Sequence, residues 1–390
     1  MDRIIGVIGG VPQSKSRNDD DWVDRLSHRY TTAIMVIFAV IVSSKQYVGE
    51  PINCWVPAEF TGNHEEYTNN YCWIQNTYYL PLNEYIPREH EERHMITYYQ
   101  WIPIILLLQA LMFYLPCIVW RTLNSRSGID VNNIVEAGET FQNAELAESR
   151  DKTLRYMTKQ MDRYLHSSKT PAPGISGRLK EAICGRKTGS YLVVLYLFVK
   201  LLFIANVVGQ IFILNEFLGT EYHMYGIDVI KSLSAGEDWT ESPRFPRVTM
   251  CDFNVRRLGN VHRYTVQCVL PINLFNEKIY LFIWFWMVFL ATLSCASFLT
   301  WLLRFIFPID RYRYIKKHLR LFHDDLDSEQ EKKRIRKFVE HYLQQDGVFV
   351  LRLIGHNTNA ITVTEFISSL WKFYSKKSFA EKPYPDGIEV

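Results

Sequence analysis

Residues 191–214 read YLVVLYLFVKLLFIANVVGQIFIL. Seventeen of them are Leu, Ile, Val or Phe, and one, Lys200, is charged. At roughly −0.3 to −0.6 kcal/mol per large apolar residue, the run contributes about −5 to −10 kcal/mol to membrane insertion, against about +3 for one central lysine. Insertion wins, and the run reads as a transmembrane helix, since about 20 helical residues cross a hydrocarbon core of roughly 30 Å. Three further runs have the same character: Tyr30–Val48, Trp101–Trp120 and Ile279–Phe305. The 390-residue chain is 22% charged, so its hydrophobicity is concentrated in these four stretches rather than spread along the chain.

Two polar segments between the runs each hold a pair of cysteines, Cys54 with Cys72 and Cys251 with Cys268. Thiols paired in polar loops outside a membrane oxidise and staple those loops. Four cysteines allow three pairings, and spacing does not choose among them. Close Cys-x-x-Cys or His spacings are absent, so zinc is not expected. Cys117 and Cys295 lie in apolar runs and Cys184 in the segment 121–189, and all three read as reduced thiols. Charge gives the sidedness. Residues 49–98 and 215–278 carry 9 Lys+Arg against 16 Asp+Glu, whereas residues 1–29, 121–189 and 304–390 carry 33 against 25. Excess Lys and Arg mark the cytoplasmic side, so the cysteine loops lie outside and both termini inside. Ile4–Val11 is too short and glycine-rich for a cleavable signal peptide, so the first span is expected to direct insertion itself. The net charge of +3 is a near-cancellation of opposed compartments.

The expected organisation is a cytoplasmic arm (1–29), a first span (30–48), an outer loop (49–100), a second span (101–120), a cytoplasmic loop (121–189), a third span (190–214), an outer loop (215–278), a fourth span (279–305) and a helical cytoplasmic region (306–390). Pro103 and Pro116 in the second span are expected to bend it. A helix is expected across Thr140–Leu165, with a turn at Thr170–Gly174. Asn206, Gly209 and Gln210 share a helix face suited to another helix rather than lipid. Trp284-Phe285-Trp286 is placed like an interfacial aromatic belt. In the tail, Thr362-Val363-Thr364-Glu365 matches a capping box, followed by a helical stripe of Phe366, Ile367, Leu370, Trp371 and Tyr374. Lys200 is a functional candidate by its depth, although pairing with a backbone carbonyl or reaching water between helices is the simpler reading. His64, His90 and His94 lie in the acidic first loop and would change its charge between pH 5 and 8.

At the outer start of the second span stands Tyr98-Tyr99-Gln100-Trp101-Ile102-Pro103. Composition alone makes it a generic interfacial anchor. The stretch resembles the signature of the innexins, with Ile102 where valine is usual. Pro51-Ile52-Asn53-Cys54-Trp55-Val56-Pro57-Ala58, Tyr71-Cys72-Trp73, Asn76-Thr77-Tyr78-Tyr79, Phe245-Pro246-Arg247-Val248-Thr249-Met250-Cys251-Asp252-Phe253, Val266-Gln267-Cys268-Val269-Leu270, Asn276-Glu277-Lys278 and Gln345-Asp346-Gly347-Val348-Phe349 continue the resemblance from about Asp21 onward. It implies a gap-junction channel subunit in the plasma membrane, an octameric ring formed alone or with other innexins, and a second ring docked from the apposed cell. It also implies disulfides Cys54–Cys268 and Cys72–Cys251. The N-terminal arm would fold into the cytoplasmic mouth and the first span would line the channel, which makes Asp2, Arg3, Lys45, Gln46 and Glu50 the candidate pore-lining residues. Lys45 and Glu50 read equally as ordinary boundary charges.

The expected fold is therefore a mainly α membrane protein with four transmembrane helices per subunit, cytoplasmic N- and C-termini, disulfide-stapled extracellular loops, a helical cytoplasmic domain and a ring-shaped oligomer. Its function is passive flow of ions and small metabolites between cells. A basic cluster of Arg311, Arg313, Lys316, Lys317 and Arg320 could hold anionic membrane lipids at roughly 1 kcal/mol per basic residue, though positive-inside bias accounts for the same charges. No nucleophile–base pair, metal spacing or phosphate loop argues for an enzyme, and neither a cofactor nor a nucleic-acid partner is expected. Two other readings fit the spans: a pannexin-like undocked hemichannel releasing small solutes, and a non-conducting four-span adhesion or scaffold protein. Missing N-glycosylation sequons in the outer loops favour docking.

Overall fold

The computed structural model describes residues 19–81, 84–87, 93–125, 130–167, 189–219, 221–236, 244–322 and 328–380. The described residues start with α1 (Trp22–Tyr47), π-helical at Leu26–Thr31, then β1 (Asn53–Trp55), α2 (Gly62–Gln75), β2 (Thr77–Tyr79) and β3 (His94–Ile96). Next come α3 (Ile102–Ser125), α4 (Val131–Asn143), α5 (Ala147–Ser167), α6 (Tyr191–Leu218) and α7 (Tyr225–Ala235). A hairpin of β4 (Val248–Arg257) and β5 (Asn260–Val269) leads into α8 (Pro271–Ile306). The tail holds α9 (Pro308–Leu319), α10 (Glu329–Lys337), a π-turn at Phe338–Leu343, α11 (Gln344–Asn357) and α12 (Ala360–Ala380). Helices α1, α3, α6 and α8 are long and apolar enough to cross a membrane.

Two of these helices outrun the apolar runs that announce them. Helix α1 starts at Trp22 rather than Tyr30, because its polar first turns find partners that hydropathy does not register. Helix α8 starts at Pro271 rather than Ile279. Its 36 residues measure about 54 Å at 1.5 Å per residue, against a hydrocarbon core of roughly 30 Å, so Asn273, Asn276 and Glu277 belong to the loop architecture. Pro103 falls in the first turn of α3, where a missing N–H costs no helical bond, so it neither breaks nor bends the span; Pro116 alone is interior. The helix expected across Thr140–Leu165 is two helices, α4 and α5, because Ala144 turns extended. The capping box expected at Thr362 is displaced. Asn359 caps α12 through its Oδ1, which accepts from the Thr362 N–H at 2.8 Å, and Thr362 and Thr364 are buried inside the helix. The linker at Thr170–Gly174 lies outside the described residues.

The chain divides into two compact units. One, residues 26–116 and 202–295, carries the disulfides. Its sheet is antiparallel, in the order β1-β5-β4-β2-β3, so the β4–β5 hairpin of the second cysteine loop sits between strands of the first within one layer. The β4–β5 hairpin turns on Leu258 and Gly259, both at positive φ (49° and 86°), as a two-residue primed turn requires. Helix α7 packs on α8 at Gly226, where a Cβ would meet the Trp284 ring at 2.0 Å. The Trp284 indole donates to the His223 carbonyl at 3.1 Å, so this tryptophan is core and not part of an interfacial belt. Gln210 is buried, and its amide donates to Asn206 Oδ1 at 3.5 Å.

The second unit, residues 1–25, 117–201 and 296–390, is helical in its described residues. Phe366, Ile367, Leu370 and Trp371 are buried on one face of α12. Phe338, Tyr342, Trp371 and Tyr374 form an aromatic cluster with centroids 5.1–6.1 Å apart. The Tyr342 hydroxyl donates to Asp162 on α5 at 2.9 Å.

Candidate functional site

In the disulfide-bearing unit, Cys54 on β1 bonds to Cys268 on β5, directly opposite in the strand register, and Cys72 on α2 bonds to Cys251 on β4. Each bridge joins the first outer loop to the second. Asp252, next to Cys251, ties three further side chains. Its carboxylate accepts from Tyr78 on β2 at 3.3 Å and pairs with Arg263 on β5 at 2.7 Å and Arg93 at 3.1 Å. Burial, followed by the Asp252 charge, pushes the Tyr78 phenol up to about 12. The two loops thus form one cross-linked body. The exposed end of the hairpin carries Leu258, 97% accessible, and Val261.

The segment Tyr98–Pro103 joins this body to α3. The Tyr98 hydroxyl donates to the Arg244 carbonyl at 2.7 Å, while Tyr99 stacks on Trp73 at 4.7 Å and donates to its carbonyl. The Gln100 amide donates to Trp73 O and to Asn76 Oδ1, the latter at 3.3 Å. Tyr98 and Tyr99 are buried, so they are not headgroup anchors: Tyr98 ties the first loop to the second, and Tyr99 packs within the first. Trp101 is exposed and Pro103 buried.

In the second unit the start of α1 is held by a buried charge cluster. Lys200, only 2% exposed, pairs with Asp24 at 2.9 Å and Asp21 at 3.6 Å. It also donates to Ser297 Oγ at 2.9 Å, and Ser297 in turn donates to Asp21 at 3.0 Å. Tyr196 donates to Asp24 at 2.8 Å and the Trp301 indole to Asp21 at 3.2 Å. Burial would raise the Asp21 carboxyl, but Lys200, Trp301 and Ser297 outweigh it and hold it below the usual carboxylate range. Beside these charges Trp120, Tyr196, Trp301 and Phe349 pack edge-on or tilted, 5.0–6.3 Å apart. Arg25 donates to Asn357 at 2.9 Å, which links α1 to α11. Lys200 therefore pairs with carboxylates. Sequence reading missed its partners, yet the signal was present: a lysine at that depth demands an anion, and Asp21 and Asp24 stand just before the first apolar run.

Asp346 is a second buried anion that sequence reading left without a role. It accepts from Tyr164 at 2.9 Å and from the Val193 N–H at 3.2 Å, with Leu192 and Tyr191 N–H also turned toward it. It is the acceptor for the first turn of α6, supplied by the tail. Burial pushes its carboxyl above the ordinary value despite these donors.

The candidate pore residues separate. Lys45 is exposed, with its Nζ 5.2 Å from the Phe275 ring, and Glu50 is exposed. Gln46 is not available: it is 9% exposed and donates to the Tyr99 carbonyl at 2.7 Å. Asp2, Arg3 and His90 lie outside the described residues. His64 serves locally, its Nδ1 accepting from the Thr61 N–H in the α2 capping box, and His94 is exposed on β3. In the basic cluster, Arg313, Lys317 and Arg320 are exposed, whereas Arg311 and Lys316 are partly buried on α9. Cys117 and Cys295 are free thiols, and Cys184 lies outside the described residues.

Four helices long and apolar enough to cross a membrane, a disulfide-bonded sheet and a folded helical tail define a multi-pass membrane protein. The family model described as Innexin matches residues 20–374. Innexin unc-9 of Caenorhabditis elegans is 46% identical over 361 residues, covering 91% of this chain and 92% of the relative. Innexin-3 of the same organism is 41% identical, covering 92% and 84%, and Innexin-19 of Caenorhabditis briggsae is 36% identical, covering 94% and 88%. The chain belongs to the innexin family and is a gap-junction channel subunit.

Proposed function

We propose that eight copies of this chain, alone or mixed with other innexins, surround a pore, and that two such rings dock through their outer sheets to join two cytoplasms. One observation carries the docking half: both disulfides run between the loops, so the docking face is a preformed body rather than two mobile segments. Binding costs less when the surface is already ordered. The first span lines the pore, with Lys45 and Glu50 presented to permeating ions and Asp2 and Arg3 at the cytoplasmic mouth. Segments 49–100 and 215–278 face outside; 1–29, 121–189 and 306–390 face the cytoplasm. The exposed cations of α9 rest against anionic headgroups. Ions and small metabolites pass by pore width and lining charge, without a tight binding site or covalent chemistry.

The test is junctional conductance between paired cells that both express the chain, recorded with the membrane current of each cell alone. Coupling that disappears in Cys72→Ser, with the protein still at the surface, supports the docked channel. Current in single cells without coupling between pairs would make the chain a hemichannel. Surface protein with neither current would point to the non-conducting scaffold.

A further inference from the structure

Between the start of α9 and the π-turn Phe338–Leu343 lies a cavity of about 200 Å³ lined by Arg311, Tyr312, Arg336, Glu340 and Gln344. It has features that packing alone does not explain. Neither Arg311 nor Arg336 has a salt bridge among the described residues, although nearby Arg352 sits 2.6 Å from Asp310 and Arg334 pairs with Glu331. The Arg311 Nε is buried without a hydrogen-bond acceptor. Arg336, exposed at the rim, lies over the Tyr312 ring at 5.9 Å. Burial pulls the Arg311 guanidinium down from its usual range against the attraction of Glu340. Gln344 has a φ of 55°, a conformation rare for a side chain larger than glycine and one that concentrates at functional sites. π-Turns likewise concentrate there.

Guanidinium groups with free forks match oxyanions bidentately. Two of them against one carboxylate leave a net charge of +1, which favours an anion, and two forks can engage the three oxygens of a phosphoryl group where a carboxylate offers only two. The volume of about 200 Å³ lies below the roughly 300–1,000 Å³ of drug-sized pockets, so it suits a phosphoryl group whose stem extends out of the cavity. We propose that this cavity is a binding site for a phosphate monoester, either free in the cytoplasm or borne on a lipid headgroup.

Its position gives binding a consequence. The Gln344 side chain lies against Gly189, where a Cβ would stand 1.7 Å from its Oε1, and Gly189 accepts from the Asp346 N–H at 2.8 Å. Two residues after Gln344, Asp346 accepts from the first turn of α6. A ligand that holds Gln344 therefore tightens the hold of the tail on the third span.

The experiment uses the assembled full chain in nanodiscs, with calorimetry for affinity and amide exchange at residues 191–193 as the structural readout. Glycerol 3-phosphate added to phosphatidylcholine discs probes the free monoester. Discs containing phosphatidic acid probe the lipid-borne one, with phosphatidylglycerol discs as a diester control. Saturable binding in either monoester arm, with slower exchange at 191–193, is the expected result, and the arm that responds identifies the source. Arg311→Gln and Arg336→Gln should each weaken binding about tenfold or more, and Glu340→Gln should tighten it. Arg336 and Glu340 lie on the exposed rim, so their variants stay informative if Arg311→Gln fails to fold. No saturable binding, equal response to phosphatidylglycerol, or binding unchanged in both arginine variants would overturn the site. None of these readouts depends on whether the ring conducts or docks.

Discussion

Lys200 shows why a single charge survives inside a span. It is 2% exposed and Asp24 is 5% exposed, so neither can turn to water, and each is affordable only because the other is present. Removing one partner of such a pair costs about 3–5 kcal/mol, whereas replacing both with neutral groups is often close to neutral. Lys200→Met should therefore sharply lower the thermal stability of the solubilised protein, and Asp24→Asn combined with Lys200→Met should recover most of the loss. If the double variant is as unstable as the single one, the pair is not the unit of stability. Asp21 adds a pH dependence of definite sign. Its carboxyl titrates below the usual range when folded and near 3.9 when unfolded. Its contribution is thus complete above about pH 4 and lost as pH falls through the lowered folded value. Asp21→Asn should flatten the acid limb of a stability-against-pH curve below about pH 4 and leave the neutral region parallel to the parent. A parent whose acid limb matches that of Asp21→Asn would mean that Lys200 and Trp301 do not favour the ionised form.

At the scale of elements, the starts of α1, α6 and α8 are held by groups outside those helices. The first turn of α6 has free N–H groups, and Asp346 supplies their acceptor from the tail. Because burial raises this carboxyl, its stabilising contribution is largest at low pH and declines as pH rises through the raised folded value. Asp346→Asn, which keeps a carbonyl acceptor and carries no buried charge, should be tolerated. Asp346→Ala should cost about 1–2 kcal/mol, as loss of an N-cap does, and speed amide exchange at residues 191–193. Equal behaviour of the two variants would exclude the capping role. The four spans and the disulfide loops were legible in the sequence because hydropathy and thiol spacing are local signals. The ends of α1 and α8 were not, since Asp24 and Glu277 are buried against Lys200 and Arg247, partners far away in sequence. Three strands of three residues each are too short to show a period. Trp284 reads as a belt residue until Gly226 provides the space that buries it, and Gln46 reads as pore lining until Tyr99 O accepts its amide.

At the scale of the whole molecule, a ring multiplies every subunit charge by its number of copies. A charge facing the pore therefore acts as a band, and replacing it changes the potential once per subunit. Lys45 and Glu50 stand close together at the outer end of α1, opposite in sign and both exposed. If the first span lines the pore, Lys45→Gln should shift junctional permeability toward cations and Glu50→Gln toward anions, with the shifts fading in high salt as the Debye length falls from about 10 Å at 0.1 M to about 3 Å at 1 M. The measurement is the reversal potential between coupled cells under a salt gradient, which reports selectivity independently of how many channels form. Opposite shifts would place both residues in the permeation path. A reduced conductance with an unchanged reversal potential would make them assembly contacts between subunits, and the lining would then have to come from another face of α1 or another span.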